Sequence, residues 1–405
     1  MSNLTRERPL TCQPLRKAQI QIAVAVIFCG AYVGRRNAHC SVELAGQKIR
    51  WVLAWFPTKE PVPLFINMEG FMEKMISLAH GAGGKQSAEL INDIFRKYFD
   101  SPLLTADDAA VLAFAGGRLA FSTDGFIVSP PQFAGGDIGK LSICGTVNDL
   151  ACMGAKPLYL TCAFIIEEGF SLAQLERIAD SMQKTAVEAG IAIVAGDTKV
   201  VGKGQCDGIF ITTTGIGQLT EGLCPSGSGA RVGDAVIVSG DIGRHGCALL
   251  LARDSFGITA DCSSDCAPLW QMVSSMFDVT KDIHVLRDAT RGGVGTVLYE
   301  IAAQSQVGIK LDAQAIPVSR EVAGICGMLG LEPLYLACEG RMVIIAPQCQ
   351  APLLLAALHQ DRHSQNAAII GEVTADLPGR VVVKTAIGGQ TLLPPPTGEL
   401  LPRIC

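Results

Sequence analysis

Aspartates recur where apolar runs give way to turns: Asp107 and Asp108 in "TADDAAVL", Asp124 in "FSTDGF", Asp197 after Gly196 in "AGDTK", and Asp288 in "RDATRGG". Lys199 follows Asp197 by two residues, Arg287 and Arg291 flank Asp288, and Asn148 and Asp149 stand together in "GTVNDLA". Hard carboxylate oxygens of this kind suit Mg2+, which bridges one or two carboxylates to phosphate oxygens. Glycine-rich turns such as "HGAGGKQS" at residues 80–87 let backbone N–H groups approach those phosphates. Each aspartate alone is explained as well by a turn or a cap. Four such pieces in order point to a Mg-nucleotide site.

A second chemistry sits at the other end of the chain, which closes on "TGELLPRIC". Three prolines, Pro394 to Pro396, stiffen the start of this tail, and Thr397 and Gly398 let it turn. At ~3.3 Å per extended residue, the stretch from Pro394 to Cys405 sweeps about 40 Å. The Cys405 thiol reads either as a chance cysteine, one of 15 in the chain, or as a group carrier held out on an arm. Soft metal ligation is less persuasive: Cys262 and Cys266 in "CSSDC" and His359 and His363 in "HQDRH" lack second pairs at zinc-site spacing. Cys144, Cys152, Cys162, Cys247 and Cys326 lie in apolar surroundings and read as core. His80 is open between a nucleotide contact and a strand terminus.

These groups need a scaffold. With 405 residues, 49% hydrophobic and 18% charged, the chain can bury two cores, and its 44 glycines fit an α/β enzyme that uses main chain to cradle a ligand. The cysteines lack a secreted disulfide framework and read as reduced, cytoplasmic thiols. Residues 1–67 hold nine Lys/Arg against three acids, net +6, so the remainder carries −11 of the total −5. An acidic body argues against a general nucleic-acid binder. The apolar run "IQIAVAVIFCGAYV" is short of the ~20 residues that span a bilayer, so no membrane role is expected. Residues 1–67 read as an extension, from a start placed too early or disordered, since Met68, Met72 and Met75 precede the first organised stretch.

Strand-like blocks "RLAFSTDGFIV", "PLYLTCAFII", "GIAIVAGDTKVV" and "GIFITTTGIGQL" alternate with helical periodicity in "IGKLSICGTVNDLACMGA" and "SLAQLERIADSMQKTAVEAG". Ser171 is the expected N-cap of the latter helix and Gly190 its stop. The pattern collapses at "TEGLCPSGSGAR" and resumes at "GDAVIVSGDIG", with a hairpin turn expected at Gly388-Gly389. This predicts one domain over 68–220, a second over 229–393, and a mobile tail over 394–405.

The ordered series "DDAAV", "FSTD", "GTVNDLACMGA", "GIAIVAGDTKV" and "DATRGG" resembles the ATP-binding superfamily of aminoimidazole ribonucleotide synthetase, thiamin-monophosphate kinase and selenophosphate synthetase. Within it, "AHGAGG", "GDTKVV", "ACEGR" and the terminal "LPRIC" resemble the HypE family, carbamoyl dehydratases of nickel-iron hydrogenase maturation, over about residues 75 to 405. The resemblance implies a two-domain α/β fold like that of aminoimidazole ribonucleotide synthetase, paired as a homodimer through first domains that also bind ATP. It further implies that a HypF carbamoyltransferase loads a carboxamide onto Cys405. The chain would then dehydrate it to a thiocyanate with ATP and Mg2+, and pass cyanide to iron on a HypC-HypD complex.

By the same resemblance Asp108, Asp124, Asp197 and Asp288 are metal and ATP candidates. Asn148, Asp149 and Gly196 join them as nucleotide-binding positions, and Asp107 stands with Asp149 behind the four principal acids. Lys199 is placed to meet phosphate oxygens, its bland alternative being a solvated surface lysine. Glu339 is the candidate base, since an acid between small residues has little structural reason to stand in an apolar stretch; a turn acid is the alternative. Cys338 and Arg341 depart from the family's Asn and Lys, and Arg keeps the charge of Lys but not its geometry. Selenophosphate synthetase is disfavoured because "LAHGAGGKQ" holds no reactive Cys. A non-catalytic thiol carrier is disfavoured because it would not need the acidic set.

Overall fold

The computed structural model describes residues 39–44, 47–52, 84–90, 92–93, 107, 109–114, 117–223, 225–253 and 256–395. It divides into two units, residues 1–74 and 75–405. The first contains a hairpin in which β1 (His39–Leu44) runs antiparallel to β2 (Gln47–Val52), with His39 opposite Val52. The apolar run at 20–33 and the methionines at 68, 72 and 75 lie outside the described residues.

The second unit opens with α1 (Gly84–Leu90), β3 (Ala110–Phe114), β4 (Gly117–Phe126) and the short pair β5 (Gln132–Phe133) and β6 (Gly136–Asp137). Then come α2 (Ile138–Cys152), β7 (Ala155–Glu167), α3 (Leu172–Ala189), β8 (Ala192–Val201) and β9 (Ile209–Leu219). Five strands form a mixed sheet in the order β3-β4-β9-β7-β8, parallel only at β7 and β8. Helix α2 is almost wholly buried, because two glycines let it approach neighbours on opposite sides. A Cβ on Gly139 would fall 2.5 Å from the Ile178 carbonyl of α3, and one on Gly145 would fall 2.7 Å from the Phe126 ring of β4. Helix α3 is amphipathic, burying Ile178, Met182 and Ala186, and it ends on left-handed Gly190 as expected. Ser171 takes the N-cap position with extended backbone, but its hydroxyl makes no capping hydrogen bond.

Residues 220–233 link this sheet to the next, and Asp107 fastens the linker by accepting from Ser226 Oγ at 3.1 Å and Gly227 N–H at 2.9 Å. The second half runs β10 (Asp234–Val238), α4 (Arg244–Ala252), α5 (Trp270–Val279), β11 (Val285–Asp288), α6 (Gly293–Ser305), β12 (Gly308–Asp312) and α7 (Arg320–Leu329). It closes with β13 (Met342–Pro347), α8 (Ala351–Leu358), β14 (Ala368–Thr374), β15 (Val381–Lys384) and β16 (Gln390–Leu392). The sheet order is β11-β13-β10-β14-β12-β15-β16. Alternate residues of β10 and β13 feed two different cores. Val236, Val238, Val343 and Ile345 pack with α6, while Ala235, Ile237, Ile344 and Ala346 pack with α5 and α8. The Gly388-Gly389 turn joins β15 to β16, with Gly388 at φ +87°.

Candidate active site

Asp124 stands on β4 two residues before its C-terminal residue rather than at the strand end, on the face covered by α2: its Oδ2 lies 3.9 Å from where a Gly145 Cβ would be. Burial pushes its carboxyl up from the ordinary range, while the Arg291 guanidinium and the Gly125 N–H pull it back. Arg291 lies in the loop between β11, which ends at Asp288, and α6, whose N-cap Gly292 adopts φ +71°. That helix start offers backbone N–H groups and a positive dipole end beside an arginine, an environment suited to phosphate.

Glu339 completes the group from the loop before β13. It is buried, and its carboxyl is pushed well above the usual carboxylate range first by burial, then by its neighbours Cys266, Asp288, Asp265 and Asp124. The structure thus brings together Asp124, Asp288 and Glu339 from the sequence-derived set, and adds Asp265, which sequence reasoning passed over inside "CSSDC". Asn148 lies at the same junction, but its side chain is spent on protein. Its Nδ2 donates to Ala267 O at 3.0 Å and Glu339 O at 3.4 Å, and its Oδ1 accepts from Leu269 N–H at 2.8 Å. Asp149 accepts from Ser122 Oγ on β4.

Arg341, the departure from the family's lysine, is not free to meet a ligand. It is buried and forked onto Asp241, with Nη2 at 2.9 Å from Oδ1 and Nε at 2.9 Å from the carbonyl, while Nη1 donates to Gly340 O and His363 O. Cys338 accepts from Gly243 N–H at 3.1 Å and is likewise interior.

Within one chain, Asp197 and Lys199 are not brought to this group. Asp124 pairs in register with Thr213, Thr213 with Cys162, and Cys162 with Gly196, so Gly196 is in the row of Asp124 but three strands, ~14 Å, away. Asp197, one residue on, belongs to the next row with Ala163, Thr212 and Gly125 and points to the opposite face. There it is exposed and ion-paired to Lys199 at 2.7 Å, which holds its carboxyl below the usual range. It is also inside β8 rather than at its end. That face leaves Tyr159 51% and Ile165 40% exposed, and β8 is exposed along nearly its whole length.

Asp108, His80 and the tail from residue 396 with Cys405 lie outside the described residues. The root of the tail is held by two hydroxyls, Tyr299 donating to Leu393 O and Tyr335 to Pro394 O. Among the described residues no three His, Cys, Asp or Glu side chains form a ready metal cage. His359 is spent on the Ala367 carbonyl at 2.9 Å.

Comparison with known proteins gives this arrangement a family. Residues 106–219 match the model of the AIR synthase related protein N-terminal domain, and residues 231–384 that of the corresponding C-terminal domain. Carbamoyl dehydratase HypE of Cupriavidus necator is 48% identical over 82% of this chain and 95% of its own length. The chain belongs to the HypE family. A solved HypE in complex with ATP is 48% identical, with TM-score 0.69, covering 81% of this chain and 99% of that one. The HypE of a HypE-HypF complex is 44% identical, with TM-score 0.72, covering 76% and 99%. The two sheets with their helices are therefore the two-domain α/β fold of the AIR synthase related proteins. No helix among the described residues is long and apolar enough to cross a membrane.

Proposed function

We propose that this chain dehydrates a carboxamide carried on the Cys405 thiol to a thiocyanate, consuming ATP, and donates the cyanide to iron for nickel-iron hydrogenase assembly. The observation that carries the reading is the convergence of Glu339 with Asp124 and Asp288 beside Arg291. Family membership and a relative crystallised with ATP support it.

The chemistry requires oxygen to leave carbon. Transfer of the γ-phosphoryl group of ATP to the carboxamide oxygen turns that oxygen into part of a phosphate. Loss of both N–H protons as phosphate departs then leaves S–C≡N, with ADP and phosphate as co-products. Arg291 and the N-terminus of α6 would hold phosphate charge. Glu339 would take the amide proton, and its raised proton affinity makes it a strong base once ionised. Acidic side chains gathered from separate elements fit a divalent cation. Mg2+ held by Asp124 and Asp288 would neutralise phosphate oxygens and offset two of the carboxylate charges that raise the Glu339 carboxyl.

The open sheet face with Tyr159 and Ile165 supports a homodimer, in which the second copy's Asp197 and Lys199 would reach this site. A carbamoyltransferase of the HypF kind would load Cys405, as the HypE-HypF relative supports. A HypC-HypD complex would take the cyanide, and the setting would be cytoplasmic.

The test is ATP consumption by the chain with and without a carbamoylated C-terminus. Turnover should appear only with the carboxamide, and Cys405→Ala should bind nucleotide yet form no thiocyanate. Thiocyanate formation by Cys405→Ala would overturn the assignment.

A further inference from the structure

The "CSSDC" stretch, with neither a zinc partner nor a place in the chemistry so far, proves to be a wedge where the two halves meet. Ser264 N–H donates to Ala134 O at 2.8 Å in the first half, and the turn there approaches so closely that a Cβ on Gly135 would fall 2.7 Å from Ser264 O. Ser264 Oγ lies 2.8 Å from His245 Nδ1 and accepts from Cys266 N–H at 3.1 Å, which fixes the turn from within. On its other side, the Asp265 carbonyl lies where a Gly340 Cβ would be only 1.9 Å away, so only glycine fits at 340. Asp265 is thereby pressed against the loop that carries Glu339.

The polar groups at this contact form a pattern. The Glu339 N–H donates to Asp265 Oδ1 at 3.2 Å, and the Glu339 C=O accepts from Asn148 Nδ2 at 3.4 Å. Both main-chain groups of Glu339 are thus held by side chains from other elements, one from the wedge and one from α2. The same Asn148 binds the wedge on both sides of Pro268, through Ala267 O and Leu269 N–H.

We propose that Asp265 and Asn148 form a clamp that positions Glu339 for proton abstraction, with Asp265 the member whose role is separable from the fold. This rests on the reading of Glu339 as the base. Stability alone accounts poorly for an aspartate here. Its side chain is wholly buried, and its Oδ2 makes no hydrogen bond and approaches Arg341 Nε only to 3.8 Å. Arg341 already has Asp241 at 2.9 Å. A buried carboxylate with one unpaired oxygen costs stability. What Asp265 supplies is an acceptor at the one point that fixes where the Glu339 backbone starts.

The clamp acts through geometry, so an isosteric acceptor replaces it. Asp265→Asn keeps an oxygen for the Glu339 N–H, and its single-turnover dehydration rate on the carbamoylated full-length chain should stay within about threefold of wild type. Asp265→Ala removes the acceptor, and the rate should fall ~10- to 100-fold, the scale of an ångström-level misplacement. The KM for ATP and the melting temperature should stay near wild type in both. In a Glu339→Gln background, Asp265→Ala should cost nothing further, because its effect passes through Glu339. Equal losses in Asn and Ala, a near-normal rate in Ala, a rate loss matched by a rise in the KM for ATP, or additivity with Glu339→Gln would each overturn the clamp. A Glu339→Gln chain that turns over normally would instead overturn the base assignment, so the two failures are distinct.

Discussion

The two sheets of the second unit are built from similar strands but covered differently. In the C-terminal sheet, β10 and β13 are buried on both faces, with α6 on one side and α5 and α8 on the other. In the N-terminal sheet, α2 covers one face, while Tyr159 and Ile165 stay exposed on the other and β8 is open along nearly its whole length. The candidate groups divide along the same line. Asp124, Asp288 and Glu339 lie at the covered junction, whereas Asp197 and Lys199 lie on the open face. Among the described residues, the groups of the covered junction come from one chain. The open half carries ionic groups that acquire a place in the chemistry only if a second copy brings them across.

Complementation between variants tests that contrast with the largest effect. Asp124→Asn and Lys199→Ala should each lower dehydration at least ~100-fold, since in the proposed mechanism Asp124 would face the cation and the second copy's Lys199 the phosphate. Mixed and re-equilibrated, the two variants should recover about one quarter of wild-type activity, because half of the dimers are mixed and each has one intact site of two. No recovery would place all the groups in one chain.

Stability gives the next largest contrast. Ile344→Ala in β13, fully buried, should cost ~2–5 kcal/mol by denaturant unfolding. Ile193→Ala in β8, 41% exposed, should cost under ~1 kcal/mol in a dilute, monomeric sample. Equal costs would mean that the open strand is covered within the chain.

The smallest effect is a slope in pH. The folded state raises the Glu339 carboxyl, so its contribution is fully present below the ordinary carboxylate range and is lost as pH rises through the higher folded value. Wild-type stability relative to Glu339→Gln should therefore fall above about pH 4.3, by at most ~1.4 kcal/mol per pH unit. A flat difference up to alkaline pH would show that burial does not hold the proton.

Much of this was legible from residues alone. β-Branched and aromatic runs bounded by Gly, Pro or Asp marked β4, β7, β8 and β9, Gly190 marked the end of α3, and the Gly-Ser-rich stretch near 224 marked the passage between sheets. Glu339 stood out as an acid among small residues, and Asp124 and Asp288 as acids at the borders of apolar runs. Other parts lay beyond pattern reading. That Asp124 and Asp197 face opposite sides depends on register across three strands, which no local motif encodes. Asn148 reads as a ligand residue, yet its amide is consumed by the interdomain junction. Asp265 hid in a motif that looks like metal spacing, and its neighbours Ser264 and Cys266 gave no local signal of its burial.

The most direct test is a single turnover of carbamoylated full-length chain with ATP, comparing wild type and Glu339→Gln. Phosphate release and the loss of the elements of water from the Cys405 adduct are followed together. Wild type should convert the carboxamide to thiocyanate with one phosphate per chain, whereas Glu339→Gln should bind ATP normally and form thiocyanate ~100- to 10,000-fold more slowly, the span expected for losing a general base. Thiocyanate formation at the wild-type rate in Glu339→Gln would contradict the account.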